Sequence, residues 1–281
     1  MTNWQIHVLY LGDITVSKGV GTMGLNIDLI LPAPYLGFLL ESGGRKILID
    51  TGINNRSIVD GKAWAGAPAK GGEAFLLQAL KKHSTKKEEI ESVIYTHLHN
   101  DHAGNCHLFP QALHVFHYDE WNELLNPLPS MEIRQDFDPG VIPILKKFRC
   151  FKVTADMELT EGIRIYHTPG HTAGSLTIGI DTTNGMYVIP GDIVAGYPNL
   201  FSKMTWIRDL EGKRVEITPA PERYGPLGIP STILYDHYAW YRSIWKIRAL
   251  LKTPKHLLPT HDAAISGKTF PGDTIDLEIP E

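Results

Sequence analysis

Apolar and polar positions alternate with a period near two over residues 5–11, where Ile6, Val8 and Tyr10 are set only approximately against Gln5, His7 and Leu9. That pattern predicts an opening strand. The next stretch is of another kind. Gly19, Gly21 and Gly24, then Pro32 and Pro34, interrupt the apolar group Met23, Leu25, Ile27, Leu29, Ile30 and Leu31. Residues 15–35 therefore read as a long apolar loop that either packs under a neighbour or covers a ligand site. Residues 35–42 and 45–50 predict a hairpin turned at Gly43-Gly44. Phe75, Leu76, Ala79 and Leu80 fall at helical spacing within 73–82, and Thr85 with Glu88 three residues on predicts a capping box for a second short helix.

Strands are predicted over 92–96, 113–116, 149–154 and 163–167, with a hairpin of 176–180 and 186–189 and a short helix over 119–125. Residues 193–235 form an irregular insertion rich in Pro, Gly and aromatics. Helical order returns over 238–251, with Trp240, Ile244, Ile247 and Leu251 on one face and Thr253-Pro254 as the stop. Periodicity assigns Tyr235, Tyr238, Trp240, Tyr241 and Trp245 mostly to the core of that helix, while Tyr235 and His237 are candidates for the border of a pocket. A final short strand covers 256–258. No linker or short repeat divides the chain, so 1–281 reads as a single domain.

What the predicted strands share is the chemistry at their C-terminal ends. Residues 45–50 run into Asp50-Thr51-Gly52, and 92–96 into His97-Leu98-His99-Asn100-Asp101-His102-Ala103-Gly104. Residues 163–167 run into Thr168-Pro169-Gly170-His171, 186–189 into Pro190-Gly191-Asp192, and 256–258 into Pro259-Thr260-His261-Asp262. On an extended or looped backbone His97 and His99 project to one side while Asp101 and His102 lie at the turn beyond, so two pairs of ligands can face two neighbouring ions. His97, His99, Asp101, His102, His171, Asp192 and His261 make five histidines and two carboxylates that only folding can gather.

Composition narrows the partners. The chain has 281 residues, 43% hydrophobic and 21% charged, enough to bury a sizeable core. A net charge of -4 without a dense Lys/Arg block excludes nucleic acid and anionic membranes as expected partners and leaves a small-molecule substrate. No apolar run reaches the ~18 residues of a membrane span, and Met1-Thr2-Asn3-Trp4 has no basic start leading into an apolar stretch, so a cytoplasmic location is expected. Cys106 and Cys150 are too few for a disulfide framework and read as reduced thiols; Cys106 is not needed as a ligand.

In this order and spacing, the motifs from Leu48-Ile49-Asp50-Thr51-Gly52 through Thr260-His261-Asp262 resemble those of the metallo-β-lactamase superfamily. The size, the apolar N-terminal loop and Asp101-His102-Ala103-Gly104-Asn105 are most similar to its N-acyl homoserine lactonase-like branch. The resemblance implies an α/β fold, a four-layer αβ/βα sandwich with two mixed sheets and outer helices. It implies two divalent metal ions, with His97, His99 and His171 on one, Asp101, His102 and His261 on the other, and Asp192 bridging them. Asp50 would orient a ligand histidine through a hydrogen bond, a partner such sites generally require. The N/O donor set suits zinc, with iron, manganese or cobalt as alternatives.

A hydroxide shared by two such ions is a nucleophile at neutral pH, and Asp101 is the candidate to orient it and pass a proton to the leaving group. The expected activity is the opening of an acyl homoserine lactone ring, and with it the quenching of quorum signals. Met23, Leu25 and Ile27, with Tyr35, are candidates to hold the acyl chain. The alternatives are another ester, thioester, carbamate, amide or phosphoester bond at the same site, or a non-catalytic metal-binding sensor; a homodimer is left open. β-Lactam hydrolysis and iron redox chemistry fit less well, because Asp192 and His99 stand where those relatives typically have Cys and Glu. There is one departure from the branch. It typically carries a Tyr three residues after the bridging Asp to meet the substrate carbonyl, where this chain has Ala195, with Tyr197 two residues further on as the candidate substitute. His107, His114, His117, His167 and His237 match no motif and are expected to be surface or hydrogen-bonded core residues. Ser175 lacks a nucleophile-elbow sequence.

Overall fold

The computed structural model describes residues 3–224 and 227–280. Met1 and Thr2, read above for a leader, and Gly225 and Pro226 of the insertion lie outside the described residues. Two long strands set the frame, β1 (Gln5–Ser17) and β2 (Ile30–Ser42). They pair antiparallel almost throughout, from Gln5 opposite Glu41 to Ser17 opposite Ile30, with a bulge between Tyr10 and Asp13. Both ends of the predicted apolar loop, residues 15–17 and 30–35, are therefore strand, and residues 18–29 remain as the hairpin's tip. Pro32 and Pro34 concealed this. They fall where β2 has β1 on one side and no β3 on the other, because pairing with β3 (Arg45–Ile49) begins at Phe38. On such an open edge a missing N–H is tolerated.

β4 (Ala69–Lys70) pairs with β1, while β5 (Ser92–Ile94), β6 (Leu113–His117) and β7 (Arg149–Val153) continue parallel to β3. Parallel neighbours need crossovers, which here carry the helices Glu73–Lys82 and Tyr118–Leu125. The second sheet is built from β8 (Met157–Thr160), β9 (Ile163–His167), β10 (Leu176–Thr182) and β11 (Gly185–Ile189), all antiparallel. Its parallel element among the described residues is the single bridge from Val188 to Leu257. The insertion is partly ordered, with the hairpin of β12 (Trp206–Arg208) and β13 (Arg214–Glu216). β14 (Thr269–Phe270) closes the first sheet against β1.

One apolar core lies between the sheets, where Ile6, Val8, Phe38 and Leu40 meet Ile165, Ile178 and Val188. The opposite face of the first sheet buries Leu9, Leu11, Leu39 and Val93 under Leu76, Leu80 and Leu124 of its outer helices. This burial on both faces explains why the alternation over residues 5–11 is so imperfect.

Three local expectations are corrected. The predicted capping box moves one residue: Glu89 Oε2 accepts from the Lys86 N–H at 2.6 Å, while the Thr85 hydroxyl meets the Lys46 ammonium. Residues 256–258 form one bridge rather than a strand, following the turn Pro254–His256. In the helix His237–Leu250, Trp240, Ile244 and Ile247 are buried, whereas Tyr238 and Trp245 fall on its solvent face.

Candidate metal centre

The strand ends converge at one edge of the two sheets. Asp50 follows β3 at a positive φ of 58° and is completely buried. Its Oδ1 accepts from the Thr96 N–H at 2.8 Å, and its Oδ2 from the Thr96 hydroxyl at 2.7 Å and from His102 Nδ1 at 2.9 Å. His102 is thereby held with Nε2 facing inward. Three other histidines are fixed the same way: His97 Nδ1 donates to the Thr96 hydroxyl at 3.1 Å, His171 Nδ1 to the Ile233 carbonyl at 3.0 Å, and His261 Nδ1 to the Pro34 carbonyl at 2.8 Å. Each outer bond leaves an inward nitrogen with a bare lone pair.

Those lone pairs meet one another. His99 Nδ1 lies 3.1 Å from both His97 Nε2 and His171 Nε2. Donor atoms of His97, His99 and His171 cluster within 4.8 Å, as do those of Asp101, His102 and His261, and those of His97, His102 and Asp192. Asp192 Oδ1 accepts from the Thr260 hydroxyl at 2.6 Å, and its Oδ2 is 3.1 Å from His261 Nε2. The inward Nε2 of His102 is buried without a hydrogen-bond partner. Converging acceptors with nothing to accept fit a cation: nitrogens about 2.0–2.1 Å from a tetrahedral zinc stand roughly 3.3 Å apart.

The electrostatics divide the candidate ligands into two groups. Burial, reinforced by neighbouring histidines, holds His97 and His99 well below the ordinary histidine range, and burial lowers His171 despite Asp192. Burial also works against a charge on His102, but Asp101, Asp192 and Asp50 outweigh it and raise that histidine well above its usual value. His261 is likewise raised, with Asp192 overcoming burial. Asp192, whose burial favours the neutral acid, is pulled well below the carboxylate range by His261 and His102.

One anchoring residue has no motif in the sequence. Glu120, fully buried on the helix Tyr118–Leu125, accepts the Leu98 N–H at 2.8 Å on Oε2. Its Oε1 takes the Thr172 hydroxyl and, at 3.1 Å, the Gly174 N–H. One carboxylate thus ties the His97–His99 segment to the His171 turn. The available signal was its place one helical turn before Leu124, on the apolar face.

A cavity of about 190 Å³ opens onto His99, Asp101, His171, Asp192 and His261. Its apolar wall comes from Ile14 and Val16 of β1, Leu31, Pro32 and Ala33 of β2, and Ile207 and Ile233. Tyr35 lines it, its ring 6.0 Å from that of His261. Met23, Leu25 and Ile27 do not, because the long hairpin carries them out to its tip, where Met23 and Ile27 are exposed. Tyr235 and His237 are also exposed and off the wall; the Tyr235 N–H instead donates to the Gly170 carbonyl at 2.9 Å. Tyr197, the candidate for the missing phenol, points into the core, where its hydroxyl donates to the Leu257 carbonyl at 2.7 Å.

A second cluster of His117, Asp119 and His167 lies apart. Its imidazoles stack 3.9 Å apart with planes 9° from parallel, which sets their lone pairs side by side instead of aiming them at one point, and His117 Nδ1 accepts the Asp119 N–H.

The family described as the metallo-beta-lactamase superfamily matches residues 33–261. An N-acyl homoserine lactonase of Bacillus cereus is 25% identical over 196 residues, 67% of this chain and 75% of the relative. Metallo-beta-lactamase domain-containing protein 1 of Xenopus laevis is 30% identical over 119 residues, 42% of this chain and 43% of that protein. Among solved structures, an N-acyl homoserine lactone hydrolase with N-hexanoyl-L-homoserine at its catalytic metal center superposes with a TM-score of 0.71 at 20% identity, covering 93% of this chain and 94% of the other. A probable metal-dependent hydrolase of Staphylococcus aureus gives 0.73 at 19% identity, covering 99% and 97%.

Proposed function

The chain belongs to the metallo-β-lactamase superfamily and is a metal-dependent hydrolase, and on that premise we propose that it opens the ring of lactones bearing an acyl side chain. The observation that carries this reading is the apolar cavity closing on Asp101, His171, Asp192 and His261. In this reading His97, His99 and His171 hold one divalent ion, Asp101, His102 and His261 a second, and Asp192 serves both; zinc is the metal the donors favour. Bound there, the ions supply Lewis acidity toward the carbonyl oxygen and lower the pKa of water toward 7.

The protein's own groups do the rest. The apolar wall seats the acyl chain and excludes water from it. Tyr35, whose phenol burial and then Asp101, Asp13 and Asp192 keep protonated, is the hydroxyl donor of the wall for a substrate carbonyl, the role Tyr197 cannot fill. Asp101 faces the cavity with its carboxylate oxygens 3.7 Å from His102 Nε2 and His261 Nε2. It takes the proton from attacking water and returns it to the ring oxygen as the acyl C–O bond breaks. Water is added, a hydroxy acid forms, and its carboxyl releases one proton.

Acid release from a panel of homoserine lactones, simple lactones, thioesters and phosphodiesters tests the reading. Lactones are expected to lead in kcat/KM, and Asp101→Asn to lose roughly 10²–10⁴-fold. A preference for a non-lactone above tenfold, about 1.4 kcal/mol of transition-state stabilisation, overturns the substrate, and full activity of Asp101→Asn overturns the proton transfer.

A further inference from the structure

Lys18 stands in the cavity wall, on the one-turn helix Lys18–Gly21 where β1 runs into the tip of the β1–β2 hairpin. Its Nζ donates to the Thr22 hydroxyl oxygen at 3.3 Å, and among the described residues it has no ion-pair partner. The other cation of the wall is committed: Arg208 donates to the Gly212 carbonyl at 2.8 Å and pairs with Asp276. Asp262, the carboxylate nearest in charge to Lys18, spends its oxygens on the N–H groups of Tyr197 and Ala264, each at 3.0 Å. Burial pushes the Lys18 pKa down to about 8 against the pull of Asp262, so at neutral pH a largely protonated ammonium stands in a wall whose other charged groups near it, Arg208 and Asp262, already have partners.

An ammonium has three N–H donors, and one is used by Thr22. Two remain, enough to engage a single carboxylate, whereas a phosphate with its three terminal oxygens would call on further donors. The polar neighbours cannot supply them: Asn199 gives its amide hydrogens to the Gly21 and Ile229 carbonyls, and Ser17 its hydroxyl to the Ile27 carbonyl.

We propose that Lys18 anchors a carboxylate borne by the substrate away from the bond that is cut, so that the preferred substrate is an acidic acyl lactone or ester. The inference rests on the hydrolytic reading of the same cavity and extends it from reaction to substrate class.

The test compares N-hexanoyl- and N-succinyl-homoserine lactone, which share ring and amide and carry acyl tails of similar reach, apolar in one and ending in a carboxylate in the other. The metal-loaded enzyme is expected to favour the succinyl compound by roughly tenfold or more in kcat/KM, mostly through KM, the scale of one charge-assisted hydrogen bond. Lys18→Met removes that preference, and Lys18→Arg restores part of it. Equal use of both lactones by the wild type, or a proportional loss on both in Lys18→Met, overturns the proposal and reduces Lys18 to a counter-charge for Asp262. Calorimetric binding of N-succinyl-homoserine separates this from failure of the hydrolytic reading. If neither lactone is opened but Lys18→Met still binds that acid at least tenfold more weakly, the hydrolytic reading falls and the carboxylate site stands; equal binding overturns the site.

Discussion

Asp50 shows how one side chain sets the competence of a centre it does not enter. Its carboxylate accepts three hydrogen bonds at zero exposure, one of them from the nitrogen that fixes His102. Asparagine keeps the volume but puts a donor where an acceptor is needed, so Asp50→Asn is expected to weaken metal binding about 10–100-fold. Competition titration against a chromophoric chelator measures this, and an unchanged affinity removes the assigned role. Acid should empty the centre unevenly. Ligand histidines must be neutral to bind, and His102 and His261 have raised pKa values, so protons compete there at a higher pH than for an ordinary histidine. His97, His99 and His171 are lowered and resist protonation to lower pH. As pH falls, the ion beside Asp101, His102 and His261 is expected to leave first; metal content after dialysis at stepped pH reads it, and simultaneous loss of both ions contradicts it. The His97-to-His102 run was legible in the sequence because the spacing itself carries ligand geometry. Glu120 and Lys18 were not, since each acquires meaning only from partners brought near by folding.

At the scale of elements, the distal ends of β1 and β2 read as loop because prolines and glycines usually end strands, and an edge position cancels that rule for β2. The strand ends that present Asp50, His97, His171 and Asp192 were found from pattern, since each apolar run stops directly before its polar residues. Between two of these ends stands the Glu120 tie. Gln at this position leaves one of its backbone or hydroxyl donors facing an amide hydrogen, so Glu120→Gln is expected to cost about 1–3 kcal/mol and to loosen the His97–His99 and His171 segments together. Denaturant melts report the first effect, and a fall in metal affinity reports the second. Lost stability with intact affinity would reduce Glu120 to a packing residue.

Across the whole molecule, the centre sits between two sheets that share no strand pairing among the described residues, beside the Leu176 N–H that donates to the Thr96 carbonyl at 2.7 Å. His97, His99, Asp101 and His102 follow a strand of the first sheet, while His171 and Asp192 follow strands of the second. Ions bound there cross-link the layers, so metal at a hundred times its Kd is expected to add ~2.7 kcal/mol and raise the melting temperature by roughly 5–10 °C, reversed by a chelator. Calorimetry with and without zinc decides it, and an unshifted transition denies the cross-link. The β2 strand ties this centre to the cavity: Pro34 supplies the carbonyl that fixes His261, and its neighbours Ala33 and Tyr35 line the wall. Inheritance at this strand is therefore pleiotropic. A lineage that shifts the backbone at positions 34 and 35 for a new substrate moves the carbonyl that holds His261 in the same step, whereas Ile14, Val16 and Leu31 line the wall away from that carbonyl and are the positions freer to diversify.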